Sequence, residues 1–289
     1  MDSCYPPKMD FSVYWQSSLK AQNLRPGQLH VWKADLDKLE YLDFYLSEDE
    51  EQRAARLKSP QKRAYFRTAR AVLRGLLAVY SGQALQAIRF VYGAKGKPRV
   101  QSVPGTRPLE FNLSHSGNLL LAAFSIEAPL GIDLELDQPI EHRDIVVRQY
   151  FSVNDRIAYR AMPAEQQKRA FLRAWTCREA CGKADGAGFV FGSDLDFFSM
   201  QPGDPSAAMS IAFSKFGEFW LLPFSPQSGF TAAVAMKSTV QPQVFFFDLS
   251  LGDNLIGFSS SRGLKMQTKA AISGYMKEAV QHKLEIRHG

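Results

Sequence analysis

Two carboxylates two residues apart are the feature of this sequence best suited to chemistry. Asp133 and Glu135 follow an apolar run, residues 119–126, and an Ala-Pro turn, so we expect them in a buried strand. Successive side chains in a strand alternate between its faces, and both carboxylates therefore project from the same face. Carboxylates that close repel each other unless a cation lies between them. The pair predicts a site for a hard divalent cation.

A second stretch offers a third carboxylate and an ammonium group. It follows a polar segment that begins at Pro163, and its lack of further proline and of a β-branched run predicts a helix. At about 100° per residue, Trp175, Glu179 and Lys183 share one face of that helix. Together with the strand pair, Glu179 would give three oxygen ligands. Such a set suits Mg²⁺, with waters and substrate phosphates completing the coordination shell.

Two other segments carry groups that bind phosphate in many proteins. The turn at residues 93–98 holds two glycines and two lysines, whose N–H groups and charges favour an anion, although most such turns are simply solvated. Ser114 and His115 lie in a glycine-bounded bend. Neighbouring side chains in an extended chain diverge, so these two do not form a nucleophile–base pair. Both can still donate hydrogen bonds to a phosphate.

The composition is that of an ordinary globular chain. Its 289 residues are 45% hydrophobic and 22% charged, which allows one large or two small domains. No apolar run approaches the roughly 20 residues of a membrane span, and the amino terminus lacks a signal-peptide core. We therefore expect a cytoplasmic protein with no membrane association. The net charge of +6 favours acidic partners, and no sequence motif indicates nucleic-acid binding.

Helices and strands with clear end signals are expected to position these groups. A first strand is predicted at residues 27–35, a helix with Ser47 as its cap follows, and a second helix covers residues 61–80 and stops at Gly82. The later chain is predicted to contain a charged segment at 141–148, a helical region at 154–185, strands at 195–198, 209–213, 218–223, 231–236 and 244–250, and a terminal helix at 269–284.

A seven-residue segment occurs twice. Residues 61–67 and 167–173 match at five of seven positions, 106 residues apart, and at the same offset Gly82 corresponds to Gly188. A helix, a glycine and following strands in the same order indicate duplication. We therefore expect an α+β fold of two similar α/β lobes related by a pseudo-twofold axis, with the active site in the cleft between them. The expected domains are an N-terminal lobe at residues 1–129, a C-terminal lobe with the metal and the catalytic helix at 130–240, and an extension of a strand plus a helix at 241–289.

Four motifs, in this order, resemble those of the 4′-phosphopantetheinyl transferases. They are Gly96-Lys97-Pro98, Asn112-Leu-Ser114-His115-Ser116-Gly117, Gly131-Ile-Asp133-Leu-Glu135 and Trp175-Thr-Cys-Arg178-Glu179-Ala-Cys-Gly-Lys183. The chain is most similar to the long, pseudo-dimeric type that activates surfactin synthetase and related megasynthases. This resemblance implies transfer of the 4′-phosphopantetheine arm of coenzyme A to a serine of an apo acyl or peptidyl carrier protein, with Mg²⁺ as cofactor and 3′,5′-ADP as product.

The resemblance also implies roles for individual residues. Asp133, Glu135 and Glu179 would hold Mg²⁺ on the pyrophosphate of coenzyme A. Lys183 and His115 would bind that pyrophosphate, and with Glu179 as general base they form the expected catalytic group. The remaining residues would bind the nucleotide and its 3′-phosphate: Arg53, Arg63, Lys95, Gly96, Lys97, Pro98 and Ser114. The implied partners are coenzyme A and a carrier protein with an acidic helix, and we expect the chain to act as a monomer.

Two positions depart from the family pattern. Arg178 stands where the family usually has Lys before the glutamate, which keeps the charge and changes the reach. The pair Cys181-Gly182 replaces a pair that is commonly bulkier, and a glycine inside a helix costs about 1 kcal/mol relative to alanine. The glycine would loosen the helix where Glu179 and Lys183 must be held, and neither departure removes an expected metal ligand.

Two other classes of protein stay open at this point. One is a non-catalytic, regulatory protein that binds coenzyme A or another nucleotide phosphate. The other is a basic protein associated with nucleic acid. The three carboxylates and Lys183 argue against the first alternative, because binding alone would not require them.

Overall fold

The structure is a computed structural model, and it describes residues 13–17, 23–39, 46–93, 96–101, 105, 107–186, 197, 209–213 and 217–249. Lys95, the strand predicted at 195–198 apart from Phe197, and the predicted helix at 269–284 lie outside these residues. Helices and strands both occur among the described residues, and the expected α+β class is confirmed. No helix in this part of the chain is long and apolar enough to cross a membrane.

The described elements follow one another along the chain as follows. The first half contains β1 (Gln16–Ser17), β2 (Gln28–Asp35), α1 (Glu48–Ala55), α2 (Pro60–Ser81), β3 (Phe90–Tyr92), β4 (Pro98–Val100), β5 (Leu109–Ser116) and β6 (Leu119–Ile126). The second half contains β7 (Leu130–Leu136), α3 (Arg143–Tyr150), α4 (Val153–Ala161), α5 (Ala164–Asp185), β8 (Met209–Phe213), β9 (Gly217–Phe224), β10 (Phe230–Met236) and β11 (Gln243–Asp248).

The chain divides into two compact units. The carboxylate unit comprises residues 13–14, 112–116 and 128–242, and the amino-terminal unit comprises the other described residues. Two short segments therefore belong to a different unit from their sequence neighbours: the end of β5, residues 112–116, and the strand β11. The lobe boundaries expected at residues 129 and 240 assign residues 112–116 to the N-terminal lobe and β11 to a separate extension. These boundaries remain a prediction.

The amino-terminal unit is built on a sheet that includes the last described strand. Its order is β1-β11-β2-β6-β5, and β11 runs parallel to both β1 and β2. Helix α2 begins with Pro60, and Gly82 ends it in the left-handed conformation, with φ of 68°. Inside the unit Arg74 donates to the buried Glu50 at 2.7 Å. The strand predicted at 244–250 is thus part of the core.

The carboxylate unit is a four-stranded sheet with a long helix packed against it. The sheet order is β7-β10-β9-β8, and its neighbouring strands are antiparallel. Helix α5 packs on β7, β9 and β10, and its Cys177 and Cys181 are buried in the core between helix and sheet. Apolar residues from both surfaces fill that core. Strand β7 carries Asp133 and Glu135, and α5 carries Glu179 and Lys183.

Several sequence expectations differ from the structure. The bend expected around Ser114 is part of β5, and the charged segment at 141–148 is largely helix α3. The helical region at 154–185 is two helices, because Met162 precedes Pro163 and takes an extended conformation, with ψ of 144°. Helix α5 ends at Gly186, with φ of 75°, and Gly188 lies outside the described residues.

Candidate active site

A glycine sets the distance between β7 and α5. A Cβ atom built on Gly131 would lie 2.1 Å from the carbonyl oxygen of Ala180 and 2.5 Å from the backbone nitrogen of Ala184. Real Cβ atoms do not approach backbone atoms so closely, so only glycine allows the helix to pack at this depth. The last turns of α5 therefore lie directly against the start of β7. This contact brings Glu179 and Lys183 to the acidic strand.

Asp133 is the central acid of the resulting cluster. It is 5% exposed, and its Oδ1 accepts hydrogen bonds from Lys183 Nζ at 2.6 Å and from Ser114 Oγ at 3.1 Å. Lys183 Nζ also donates to the carbonyl oxygen of Ile132 at 3.1 Å. The other carboxylate oxygen, Asp133 Oδ2, is buried and has no hydrogen-bond partner among the described residues. A buried carboxylate oxygen without a hydrogen-bond donor is costly, and a bound cation could serve as its partner.

The three carboxylates influence one another electrostatically. Burial raises the pKa of Glu135, and the negative charge of Asp133 raises it further, with Glu179 adding a smaller contribution. Burial and the charge of Asp133 also raise the pKa of Glu179. Lys183 opposes both shifts. The cluster therefore carries more negative charge than its single lysine neutralises.

The carboxylate oxygens of Asp133, Glu135 and Glu179 are the type of ligand that a hard divalent cation prefers. Asp133 has an unsatisfied oxygen, and the pKa values of Glu135 and Glu179 are raised by burial first and by neighbouring negative charge second. Among the described residues, no three His, Cys, Asp or Glu side chains are already arranged as a metal site. In the present arrangement the Lys183 ammonium satisfies Asp133 Oδ1 instead. The three acids as metal ligands remain a prediction.

His115 belongs to the same unit, and the charge of Lys183 influences its pKa. Partial burial lowers the pKa of its imidazole, and the positive charge of Lys183 lowers it further, although the residue keeps contact with solvent. Both effects favour the neutral form of the imidazole. The hydroxyl of Ser114, next to it in sequence, bridges Asp133 and Lys183, with 3.3 Å between Lys183 Nζ and Ser114 Oγ. The structure thus brings six of the predicted residues into one unit: Ser114, His115, Asp133, Glu135, Glu179 and Lys183.

Two residues of β5 at this site were given no role in the sequence analysis. Asn112 Oδ1 accepts a hydrogen bond from the backbone N–H of Ile132 at 2.9 Å. Ser116 Oγ accepts one from the backbone N–H of Leu136 at 3.0 Å. The sequence signal that could have identified them is the spacing of polar side chains at every second position, which places them on one face of a strand with Ser114.

Arg178 does not belong to the site. Its side chain is 1% exposed, and its guanidinium carbon lies 5.2 Å from the ring centroid of Phe151 and 5.6 Å from that of Phe197. Burial lowers the pKa of the guanidinium, and the charge of Asp155 opposes this shift. The departure from the family's lysine therefore affects the packing of α5 in the core, where the stacked guanidinium contributes cation–π contacts.

The other predicted residues belong to the amino-terminal unit. Arg53 lies over the ring of Tyr92 at 4.4 Å and donates to the Tyr92 hydroxyl at 2.9 Å, which places it beside the β3–β4 hairpin that carries Gly96, Lys97 and Pro98. Arg63 donates to the carbonyl oxygen of Leu57 at 3.1 Å.

The turn of the β3–β4 hairpin differs from the expected phosphate nest. The N–H of Gly93 donates to Lys97 O at 3.0 Å, and that of Gly96 donates to Gly93 O at 2.8 Å. Both glycine amides are thus already bonded inside the turn, and the expectation that they are open to an anion is wrong. The binding of the nucleotide by Gly96, Lys97 and Pro98 then depends on side chains and on the shape of the hairpin.

Comparisons with known proteins agree on one family. Residues 129–235 match the family model described as the 4′-phosphopantetheinyl transferase superfamily. The chain is 33% identical over 217 residues to the 4′-phosphopantetheinyl transferase HetI of Nostoc sp. (strain PCC 7120), and the alignment covers 74% of this chain and 89% of that protein. It is 31% identical over 173 residues to the 4′-phosphopantetheinyl transferase Sfp of Bacillus subtilis, which covers 56% of this chain and 74% of that protein. A putative 4′-phosphopantetheinyl transferase of Synechocystis sp. is 33% identical over 147 residues, covering 51% of this chain and 59% of that protein.

Proposed function

Because the chain belongs to the 4′-phosphopantetheinyl transferase superfamily, we propose that the acidic cluster of β7 and α5 is its active site. The chain is a transferase that moves the 4′-phosphopantetheine arm of coenzyme A to a serine of an apo carrier protein and releases 3′,5′-ADP. One observation carries the assignment of the site: the ammonium of Lys183 lies 2.6 Å from Asp133, inside the segment that the family model matches.

We propose Mg²⁺ as the metal and Asp133, Glu135 and Glu179 as the residues that hold it. Members of the family use coenzyme A as substrate and typically require a divalent metal. When bound, Mg²⁺ would neutralise charge on the pyrophosphate of coenzyme A. The unsatisfied Oδ2 of Asp133 and the raised pKa values of Glu135 and Glu179 support this assignment, since both features call for an additional positive charge.

Glu179 is proposed as the general base. The carrier serine oxygen attacks the β-phosphorus of coenzyme A, and its proton passes to the Glu179 carboxylate directly or through one water. Burial and the charge of Asp133 raise the pKa of Glu179, which makes its carboxylate a better proton acceptor than an ordinary glutamate. The bond between the β-phosphorus and the bridging oxygen breaks as the new bond to serine forms.

Lys183 and His115 are proposed to act on the leaving group. Negative charge develops on the phosphate of 3′,5′-ADP, and the fixed ammonium of Lys183 would stabilise it there. The neutral imidazole of His115 would donate a hydrogen bond to the pyrophosphate. The proposed contacts to the nucleotide and its 3′-phosphate involve Ser114, Arg53, Arg63, Lys95, Gly96, Lys97 and Pro98.

The arrangement of the whole chain and its setting are also proposals. Two similar lobes are supported by the repeat of residues 61–67 at 167–173 and by the presence of one 22-residue helix around each copy. An internal duplication would remove the need for a partner subunit, so a monomer is proposed. The proposed target is a carrier protein that presents an acidic helix, acting in the cytoplasm, which suits the net charge of +6.

A non-catalytic protein that binds coenzyme A is not favoured, because the relatives are named as transferases. The separating experiment is incubation of the chain with coenzyme A, Mg²⁺ and an apo carrier protein. Mass spectrometry of the carrier should then show one added phosphopantetheine arm. A carrier of unchanged mass, with coenzyme A bound to the chain, would support the regulatory alternative.

A further inference from the structure

Strand β7 lies at the edge of the four-stranded sheet in the part of the chain that the structure describes. Its inner side pairs with β10, with Asp133 opposite Ala233 and Glu135 opposite Thr231. An edge strand leaves a row of backbone N–H and C=O groups that need other partners. The acidic pair is therefore on a strand whose outer edge is not held by a neighbouring strand of its sheet.

Side chains of β5 satisfy that outer edge at two points. Asn112 Oδ1 accepts from the N–H of Ile132 at 2.9 Å, and Ser116 Oγ accepts from the N–H of Leu136 at 3.0 Å. Asn112 is 6% exposed and Ser116 is half-buried. The two residues are four apart in one strand and so project from the same face. They take positions that the backbone carbonyls of a paired strand would otherwise occupy.

These two hydrogen bonds bracket the acidic pair. Ile132 directly precedes Asp133, and Leu136 directly follows Glu135. Ser116 Oγ is in addition 3.5 Å from Glu135 Oε2, so one hydroxyl contacts both the backbone and the carboxylate. Movement of β7 along β5 by one residue would break both backbone contacts and turn the carboxylates to the other face.

We infer that Asn112 and Ser116 are positioning residues that fix the register of β7 and so hold Asp133 and Glu135 on the face where Asp133 meets Lys183, as binding of the metal requires. This inference rests on the proposed function. Neither residue would contact coenzyme A or the metal; each acts through a backbone N–H beside a carboxylate. Ser114, which lies between them on the same face, acts directly on Asp133 and Lys183.

The direct experiment compares Ser116→Ala with Ser116→Thr. Alanine removes the acceptor of the Leu136 N–H, whereas threonine keeps the hydroxyl. Ser238→Ala is the matched control, because it deletes a hydroxyl of the same unit that donates to Val240 O and, like Ser116, accepts from a backbone N–H, here that of Val240 at 3.0 Å. The probe is Mn²⁺, whose binding is followed by electron paramagnetic resonance in the presence of coenzyme A. No carrier protein is added, so the Mn²⁺ affinity is measured without any transfer reaction.

Ser116→Ala should weaken Mn²⁺ binding by about three- to tenfold, the range expected for loss of one neutral hydrogen bond. Ser116→Thr should restore binding, and Ser238→Ala should leave it unchanged. Hydrogen exchange should show faster exchange at the Leu136 amide in Ser116→Ala alone. If Ser116→Ala fails to fold, Ser116→Cys replaces it, because the thiol fills the volume and is a weak acceptor.

Unchanged Mn²⁺ affinity in Ser116→Ala, together with a lower melting temperature, would overturn the inference, since the serine would then be structural only. A wild-type chain that binds no Mn²⁺ would also overturn it, because no metal-binding pair would be present to position. Failure of the proposed function is a separate result: the wild-type chain would leave the mass of an apo carrier unchanged while the Mn²⁺ titrations could still distinguish the variants.

Discussion

The ammonium of Lys183 lies 2.6 Å from Asp133 Oδ1, so a residue near the end of a 22-residue helix neutralises one in the middle of an edge strand, 50 positions earlier in the chain. The contact exists because Gly131 lets the helix approach the strand. It leaves the second oxygen of Asp133 without a partner among the described residues. A single ion pair thus organises the acidic cluster and leaves it able to accept one more cation.

Gly131→Ala should both destabilise the chain and abolish transfer. The added methyl would overlap the backbone of Ala180 and Ala184, and backbone atoms cannot move aside as a flexible side chain does. We expect a loss of about 1–3 kcal/mol in the free energy of unfolding, measured by urea denaturation. Gly93→Ala is the stability control, because its Cβ would meet only Lys97 O at an ordinary 3.7 Å. Equal stability of Gly131→Ala and wild type would contradict the packing described here.

Lys183→Met should have a larger effect than the same change at Lys168. Each lysine forms an ion pair at 2.6 Å, Lys183 with Asp133 and Lys168 with Asp137, but the side chain of Asp133 is 7% exposed and that of Asp137 is 40% exposed. Removing Lys183 leaves the buried Asp133 carboxylate with the Ser114 hydroxyl and without a cationic partner, which costs about 1–3 kcal/mol or more. The exposed pair contributes about 0–1 kcal/mol. Thermal unfolding of both variants measures the difference, and similar melting temperatures would argue against a buried Asp133.

Mg²⁺ should stabilise the wild-type chain, and Asp133→Asn should abolish that effect. A ligand that binds only the folded state raises the melting temperature, and the rise grows with the logarithm of the ligand concentration above its Kd. The asparagine variant keeps the size of the side chain and loses the charge that attracts the ion. Calorimetric scans with Mg²⁺ and with chelator, for both chains, measure the shift. Asp144→Asn, on the exposed surface of α3, is the control and should keep the full Mg²⁺ response.

The stability of the amino-terminal unit should depend on pH through His30. The imidazole is 2% exposed, and burial lowers its pKa from 6.5 to about 4. Tyr80 accepts from Trp32 Nε1 at 2.7 Å and lies 2.8 Å from His30 Nδ1, so its hydroxyl proton is directed to a neutral His30. Protonation would remove that acceptor.

The sign of the effect follows from the lowered pKa of His30. Well above pH 6.5 the residue is unprotonated in both the folded and the unfolded chain, and the stability is complete. As the pH falls from 6.5 to about 4, the unfolded chain takes up the proton first, and about 3 kcal/mol of the free energy of unfolding is lost. Urea denaturation across this range measures the loss. His30→Phe should reduce the loss, whereas His142→Asn, at an exposed position with φ of 59°, should not.

The sequence predicted the elements whose signals are local. Apolar patterning predicted β2 and β7, the cap residue Ser47 predicted the start of α1, and Gly82 predicted the end of α2. These signals act within a few residues of the chain. Helix α3 was not predicted, since its charged residues lack a clear apolar period. The chain at 154–185 was predicted as one helical region rather than two helices, because a proline at the start of a helix and one that separates two helices look alike in sequence.

For the candidate site, the sequence predicted the acidic residues but not all of the residues that hold them in place. Asp133, Glu135 and Glu179 were selected by residue type and spacing, and their role as metal ligands remains a prediction. The roles of Asn112 and Ser116 depend on which strand lies beside β7, and their partners are 20 residues away. Arg178 was expected to change the reach of the cation that precedes Glu179, because arginine and lysine differ in length and geometry. On a helix adjacent residues point about 100° apart, and Arg178 enters the core instead.

The central claim is that Glu179 takes the proton of the carrier serine, and one pair of variants tests it most directly. Glu179→Gln is compared with Glu165→Gln, an exposed residue in the first turn of the same helix, by the rate of phosphopantetheine transfer to an apo carrier with saturating coenzyme A and Mg²⁺. We predict that Glu179→Gln lowers kcat by about 10²- to 10⁴-fold with an unchanged melting temperature, and that Glu165→Gln keeps the wild-type rate. A wild-type rate in Glu179→Gln would contradict the account.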